Sequence, residues 1–280
     1  MKFSLSTNWC NRRIEAGEEI ADIAGDLGFD SLELGFHTTL QQVSGFKSRL
    51  DAMPVTSIHA FCPVPLSAPQ GYPELYRLAS FDEAARALAR VHVRKNILFA
   101  AEMGATAVVL HSGQISYRGF FRRLDFKRRI KRGRKMIDIF KKELENILPD
   151  LETNNVTLGL ENLPYLEGFP AEWEIADVCG EFVKPWLDTG HDHVRSVNGW
   201  KDIQGVSLEG LEKSLQPVGL HINDSIGGDD HLPPGEGQVD FGKLKDIAAN
   251  AKHLVFEPRD DVSFVRLLAW LRYVKAAWLS

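Results

Sequence analysis

The sequence is poor in cysteine, has no long apolar run and carries no strong excess of either charge. Three cysteines, Cys10, Cys62 and Cys179, are scattered through 280 residues. They are too few for a disulfide framework, so we expect a reduced, cytoplasmic protein. The N-terminal apolar stretch is too short for a signal-peptide core, and no run approaches the roughly 18 apolar residues of a membrane span. The net charge of −5 gives no global field that favours nucleic acid or a membrane.

Two further absences concern the architecture. No break in composition marks a domain linker, so we predict one domain over residues 1–280. Residues 8–11, Asn-Trp-Cys-Asn, lack the glycine-rich first turn that is typical of a doubly wound dinucleotide-binding sheet. The length suits a single (β/α)8 barrel, because such barrels run to about 250 residues.

Strand-like and helix-like segments alternate along the whole chain. The predicted strands are Phe3–Asn8, Ser31–Phe36, Val55–Ala60, Thr106–His111, Val156–Glu161, a short run ending at Asp188, Val218–Ile222 and His253–Glu257. The predicted helices are about Glu15–Leu27, Gln41–Ala52, Ser80–Gly104, a long segment to Glu152, Ala171–Phe182, Ser207–Leu215, Phe241–Ala251 and Val262–Trp278. Strict alternation of eight such units predicts parallel strands with crossover helices, and therefore a (β/α)8 TIM barrel.

Most of the apolar runs end on a histidine or a carboxylate. The clearest ends are Val-Val-Leu-His111, Leu-Gly-Leu-Glu161, Trp-Leu-Asp188-Thr-Gly-His191, Gly-Leu-His221 and Leu-Val-Phe-Glu257, and weaker ends fall at His59 and Glu33. The carboxyl ends of all strands of a closed parallel barrel open onto one face, so these side chains should meet there. Imidazole and carboxylate groups are the ligands that divalent metals take in proteins. We therefore predict a divalent-metal site.

Two local motifs add further candidate ligands. In Asp188-Thr-Gly-His191 a carboxylate and an imidazole lie three residues apart, just past a strand. After His221 the chain continues with Ile-Asn-Asp-Ser-Ile-Gly-Gly-Asp-Asp-His and then Leu-Pro-Pro-Gly-Glu-Gly. The glycines and prolines allow a tight fold in which Asp229 and His231 point back into the same mouth. We interpret the tripeptide Gly-Glu-Gly at 235–237, taken alone, as a plain turn.

With these motifs the chain resembles the xylose isomerase-like TIM barrels, a superfamily of sugar isomerases and epimerases that also contains the endonuclease IV apurinic-site nucleases. The resemblance covers almost the whole chain. It implies a metal site with one ligand after each of strands five to eight, namely Glu161, Asp188, His221 and Glu257. It also implies that Glu161 and Glu257 flank the substrate carbon and exchange its proton, with Glu33 outside the metal shell.

The resemblance to endonuclease IV goes further. That family binds three zinc ions through nine ligands, and the matching residues here are His59, His111, Glu161, Asp188, His191, His221, Asp229, His231 and Glu257. Asp188-Thr-Gly-His191 is similar to its Asp-Thr-Cys-His motif. The loops depart from it: the nuclease has Asn-Pro-Arg after strand two, whereas this chain has no arginine from residue 35 until Arg49. The candidate ligands are thus more similar to those of the nuclease family, whereas the loops are more similar to those of the isomerases.

A basic segment follows His111 and has two interpretations. Arg118, Arg122 and Arg123 leave the predicted catalytic face and are candidates for binding a phosphate group or a nucleic-acid backbone. The alternative is a solvated helix face, because Leu124 and Ile130 belong to a set of apolar residues that can supply its buried side.

Three functions follow from these residues. The first, which we favour, is an isomerase or epimerase of a sugar or sugar phosphate, with one Zn, Mn or Mg ion and an enediolate formed through Glu161 and Glu257. In it His191 orients the substrate or a metal ligand. The second is a phosphoesterase with two or three zinc ions acting on abasic DNA or another phosphate ester. The third is a degenerate barrel that binds a small molecule. Nucleic acid is a partner only under the second, no membrane partner is expected, and the oligomeric state stays open.

Overall fold

Eight parallel strands close into a barrel, which confirms the fold predicted from the alternation of segments. The protein is described by a computed structural model that covers residues 1–115, 122–199 and 216–279, with only the backbone of 122–126. The barrel strands are β1 (Ser4–Ser6), β2 (Ser31–Leu34), β3 (Val55–His59), β4 (Ala107–Leu110), β5 (Thr157–Glu161), β6 (Val183–Asp188), β7 (Gly219–Ile222) and β10 (His253–Phe256). They follow chain order around the barrel, and β10 pairs with β1 to close it.

Helices connect the strands. They are α1 (Gly17–Asp26), α2 (Leu40–Lys47), α3 (Glu83–Glu102), α4 (Arg122–Asn154), α5 (Glu172–Val178), α6 (Thr189–Val197), α7 (Lys245–Asn250) and α8 (Phe264–Leu279). Side chains that accept backbone N–H groups begin several of them: Thr39 caps α2, and Asp82 caps α3 two residues after its predicted start. In the described part of the chain, no helix is long and apolar enough to cross a membrane.

A helix and a hairpin of the described chain were not predicted from the sequence. Helix α6 begins directly after β6, where Asp188 accepts the backbone N–H of His191 at 2.7 Å. A two-stranded antiparallel hairpin, β8 (Asp224–Ile226) and β9 (Asp229–Leu232), follows β7 where we expected only a loop. The helix predicted over Ser207–Leu215 lies outside the described residues.

The interior of the barrel contains one tryptophan that two glycines accommodate. The indole of Trp186 is 1% exposed and packs with Val109 and Val255. A Cβ atom at Gly219 would lie 2.3 Å from this ring, and one at Gly159 would lie 2.8 Å from it. Both glycines lie on strands next to β6, so they leave the space that the indole fills. The ring centroid of Trp186 is 5.2 Å from that of His221, so this core supports a residue of the predicted metal site.

Candidate metal centre

Four buried residues converge at the carboxyl ends of the barrel strands. Glu161 ends β5, Asp188 ends β6, His221 lies in β7 and Glu257 follows β10. Each offers a ligand atom, and these four atoms all lie within 4.8 Å of one another. None of the four residues is more than 5% exposed. The structure thus brings together the four residues that the resemblance to the epimerases indicates.

His221 faces two of these carboxylates with one ring nitrogen. Its Nδ1 lies 2.9 Å from Glu161 Oε1 and 3.1 Å from Glu257 Oε2. An imidazole nitrogen with three carboxylates is a donor set that suits Mn²⁺ or Zn²⁺, whereas Mg²⁺ is more often bound by oxygen ligands alone. The geometry and the donor chemistry therefore fit one divalent ion among these side chains.

Two more histidines from the predicted set join Glu161. His111 Nε2 lies 3.0 Å and His59 Nε2 lies 3.2 Å from the same atom, Glu161 Oε2. These three residues form a second group with ligand atoms within 4.8 Å of one another. Glu161 therefore belongs to two groups, and imidazoles contact both of its oxygens.

A third group is formed by Asp188, His191 and His231. The Nδ1 atom of His191 lies 2.9 Å from the backbone carbonyl of Asn162 and 3.7 Å from Glu161 Oε1, whereas its Nε2 lies 3.8 Å from Asp230 Oδ2. His231 has a positive φ of 55° in the hairpin, and its Nδ1 lies 3.1 Å from the backbone carbonyl of Glu257. The hairpin thus returns His231 to the barrel mouth, as its glycine-rich sequence predicts.

The structure does not place Asp229 with these groups. Its side chain is 60% exposed and pairs with Arg259. The next residue, Asp230, lies nearer the site, with Oδ2 3.8 Å from His191 Nε2. Successive side chains of a strand point to opposite faces, so β9 can direct only one of these two aspartates inward. Sequence spacing alone does not reveal which one.

Two asparagines that the sequence analysis did not single out hold the ligands in place. The side-chain amide of Asn223 donates to Asp188 Oδ2 at 2.7 Å, and its oxygen accepts from the backbone of His231 at 3.2 Å. A Cβ atom at Gly190 would lie 1.9 Å from that oxygen, so glycine at this position lets Asn223 approach. Asn162 bonds the backbone N–H and carbonyl of Asp188. Both asparagines directly follow or lie within strand-end motifs, and that position is the signal that could have identified them.

Asp224 explains the shape of the turn after the hairpin. Its buried carboxylate accepts backbone N–H groups from Gly235, Gly237 and Val239 at 2.8–2.9 Å. A Cβ atom at Gly237 would lie 2.2 Å from the carboxylate, so a larger residue has no room there. The Gly-Glu-Gly segment is therefore a turn closed on Asp224, in agreement with the sequence interpretation.

The carboxylates of the centre favour the protonated forms of two of its histidines. Burial by itself lowers the pKa of His221, but Glu257, Glu161 and Glu33 together raise that pKa well above its ordinary value. Burial likewise works against protonated His111, yet Glu161 and Glu74 raise its pKa to about 9. Burial raises the pKa of Glu161, but His221 and His111 hold it well below its usual range. The carboxylates thus favour positive charge beside them, and a divalent ion would supply that charge.

This proton balance predicts opposite pH trends with and without metal. The raised pKa of His111 stabilises the metal-free fold fully below its ordinary value of 6.5, and this stabilisation is lost as pH rises through about 9. A metal ion must displace such protons, so its affinity should rise about tenfold per pH unit for each proton released. We expect the melting temperature of chelator-treated protein to fall as the pH is raised from 6.5 to 8.5. Over the same range, the increase in melting temperature that Mn²⁺ causes should become larger. Differential scanning fluorimetry would contradict this if the Mn²⁺ effect were independent of pH.

The basic segment is only partly described. Arg118 lies outside the described residues, and Arg122 and Arg123 begin α4 with undescribed side chains. Their role as phosphate ligands therefore stays a prediction. Arg129, farther along the helix, is fully buried and bonds Glu174, so part of this basic run is structural.

Comparison with known proteins agrees with the fold. The model of the family described as "xylose isomerase-like TIM barrel" matches residues 21–273. A D-tagatose 3-epimerase-like protein is 18% identical, with a TM-score of 0.67 and coverage of 99% of this chain and 97% of that one. A putative xylose isomerase from Rhodospirillum rubrum is 17% identical, with a TM-score of 0.74 and coverage of 99% of both chains.

A protein from Thermus thermophilus, whose crystals were soaked with zinc chloride, is 21% identical. Its TM-score is 0.65, and the match covers 99% of this chain and 98% of that one. No curated protein matches the chain. At these identities the likeness to solved structures establishes the fold alone.

Proposed function

Because the chain belongs to the xylose isomerase-like TIM-barrel family, we propose that it is a divalent-metal-dependent isomerase or epimerase of a sugar or sugar phosphate. The observation that carries this proposal is the buried convergence of Glu161, Asp188, His221 and Glu257 within 4.8 Å. Two of the similar structures are named as a sugar epimerase-like protein and a putative sugar isomerase, which supports the same class.

In the proposed mechanism the four residues hold one divalent ion. When bound, such an ion polarises a substrate carbonyl and stabilises negative charge on its oxygen. The two glutamates then act as the proton carriers. We assign proton removal to Glu257, because only its Oε2 contacts an imidazole, whereas its Oε1 accepts a 3.3 Å hydrogen bond from Asn8. Both oxygens of Glu161 contact imidazoles, so we assign it the delivery of a proton to the opposite face of the carbon. Protonated His111, 3.0 Å from Glu161 Oε2, supplies that proton, and the proton taken by Glu257 passes to solvent.

The remaining polar residues would orient the substrate. The imidazole of His191 is fixed by the contact of Nδ1 with the carbonyl of Asn162, and its Nε2 lies on the side of Asp230. His59, His111 and His231 line the same space and can donate to, or accept from, substrate hydroxyls. His59, His111 and His191 are buried, and their low exposure to water strengthens their electrostatic interactions with a bound substrate.

Solvent exchange provides a direct test that does not require knowledge of the product. Chelator-treated protein reloaded with Mn²⁺, Co²⁺ or Zn²⁺ is incubated in D₂O with a panel of ketoses, aldoses and their phosphates. We expect loss of the proton next to the carbonyl in at least one sugar, followed by NMR. Failure of every sugar to exchange or isomerise with fully loaded protein would overturn the proposal.

A multinuclear zinc phosphoesterase is the second candidate. The observation that favours it is the presence of three further ligand groups around the first, namely His59–His111–Glu161, His59–His221–Glu257 and Asp188–His191–His231. In that function all of these side chains would be metal ligands, and a hydroxide would attack phosphorus. Cleavage of an oligonucleotide with one abasic site, together with two or three zinc ions per chain, would establish it.

Replacing His59 and His111 together by glutamine should discriminate between the two functions. We expect the variant to retain one ion per chain under the isomerase proposal, because neither histidine belongs to the four-residue group. Under the phosphoesterase alternative the stoichiometry should fall by at least one ion. Metal content by mass spectrometry after desalting provides the measurement, and His92→Gln, on α3, is the matched control.

A further inference from the structure

Glu33 is a buried carboxylate outside the four-residue group. It lies in β2, has 0% exposed surface, and points into the barrel. Strands β2 and β7 are not neighbours, because β1 and β10 lie between them in the barrel. A contact between Glu33 and β7 therefore crosses the barrel interior, and no strand hydrogen bonding requires it.

The main contact of Glu33 is with the histidine of the metal centre. Both of its oxygens lie 3.2 Å from His221 Nε2. Ser57 donates its hydroxyl to Glu33 Oε2 at 2.8 Å. Burying a carboxylate costs several kcal/mol unless it is hydrogen-bonded to suitable donors. The buried position of Glu33 therefore suggests that its carboxylate has a role toward the His221 ring that it faces.

The two nitrogens of His221 face different partners. Nε2 faces Glu33, whereas Nδ1 faces Glu161 Oε1 at 2.9 Å and Glu257 Oε2 at 3.1 Å. Rings on both sides restrict rotation, since His59 stacks at 5.5 Å between centroids and Trp186 lies at 5.2 Å. The ring is thus held with one nitrogen toward the carboxylates and the other toward Glu33.

We infer that Glu33 is a positioning residue that fixes the tautomer of His221. Its carboxylate accepts the Nε2–H, which leaves the Nδ1 lone pair free to bind the cation among Glu161, Asp188 and Glu257. A carboxylate behind an imidazole also makes the ligand nitrogen a stronger donor. The inference rests on the proposed metal centre and goes beyond the reaction assigned to it, because it holds for any chemistry performed there.

The test measures metal affinity and does not depend on activity. Full-length chelator-treated protein is titrated with Co²⁺ alone, and the visible absorption of the bound ion is recorded. We expect Glu33→Gln to bind Co²⁺ about 10–100-fold more weakly than the unaltered protein. Glutamine keeps the size of the side chain but loses the charge that favours Nε2–H. Glu33→Asp, which keeps the charge, should recover part of the affinity.

Glu143→Gln is the matched control. Glu143 is also a buried glutamate, at 3% exposure, but it pairs with Arg86 and Arg90 on α3, away from the strand-end groups. This variant should lose stability and keep its Co²⁺ affinity within about twofold. Circular dichroism establishes that each variant is folded before titration.

The outcomes separate this inference from the proposed function. Equal Co²⁺ affinity in Glu33→Gln and in the unaltered protein would overturn the role of Glu33 alone. Strong Co²⁺ binding without any sugar exchange would overturn the isomerase proposal and leave the role of Glu33 intact. Absence of Co²⁺ binding by the unaltered protein would overturn both. Similar losses in Glu33→Gln and Glu143→Gln would assign Glu33 a merely structural role.

Discussion

Replacing Glu257 by glutamine is expected to lower kcat for sugar isomerisation by roughly 10²–10⁴-fold, the usual effect of removing a general base. Glutamine fills the same space and still accepts the hydrogen bond that Asn8 donates to Oε1 at 3.3 Å. It cannot accept a proton from carbon at neutral pH. The loss should therefore appear in the proton-transfer step and exceed any loss of metal.

Two measurements on the Glu257→Gln variant separate these effects. Turnover and deuterium exchange are measured at Mn²⁺ concentrations that restore full occupancy, as judged by metal analysis. Glu236→Gln is the control, because Glu236 lies in the turn at 235–237 and pairs with exposed Arg266. Exchange within tenfold of the unaltered protein at full occupancy would rule out Glu257 as the base. A loss that disappears as metal is restored would assign it a ligand role only.

The fold could be predicted from the sequence because a parallel barrel repeats one local pattern. Strands buried on both faces give continuous apolar runs, such as Ala107–Leu110, and the helices between them have a different period. Eight repeats leave few architectures to consider. The hairpin β8–β9 lacks such a pattern: it is short and polar, and the two glycines at 227–228 also suit a loop.

The four-residue metal centre could also be predicted from the sequence, because its residues follow from the positions of the strands. Glu161, Asp188, His221 and Glu257 lie at strand ends, so closing the barrel is enough to bring them together. Glu33 was identified as the end of an apolar run, but its contact with His221 was not predicted, because it depends on which side chains meet across the interior. Which of Asp229 and Asp230 lies near the site depends on the twist of the hairpin, and the twist cannot be read from the order of the residues.

The loop that follows Glu161 is held by two buried arginines from neighbouring helices. Arg129 on α4 donates to the carbonyls of Leu166 and Gly168, and Arg195 on α6 donates to those of Leu163 and Tyr165. Both arginines are almost fully buried. Backbone carbonyls in a loop have no strand or helix partners, so these guanidinium groups satisfy them. The loop that leaves the metal centre is therefore fixed from outside the barrel.

Replacing Arg129 by methionine is expected to lower the free energy of unfolding by about 3–5 kcal/mol, the effect of leaving one partner of a buried ion pair uncompensated. Arg129 has 0% and Glu174 has 2% exposed surface, and their atoms Nη1 and Oε1 lie 2.7 Å apart. Urea denaturation followed by circular dichroism measures the change. Arg134→Met, an exposed position on the same helix, should change stability by less than about 0.5 kcal/mol.

A second variant shows whether the charge or the packing causes the loss. Arg129→Met combined with Glu174→Met removes both charges, so the pair should recover much of the stability lost in Arg129→Met. The carbonyls of Leu166 and Gly168 remain without their donor in both variants. If stability recovers in the double variant but its Co²⁺ affinity is lower than that of the unaltered protein, the arginine holds the loop beside Glu161 in its binding geometry. A loss below about 1 kcal/mol in the single variant would contradict this prediction and would mean that other contacts, among them those of Arg195, hold the loop.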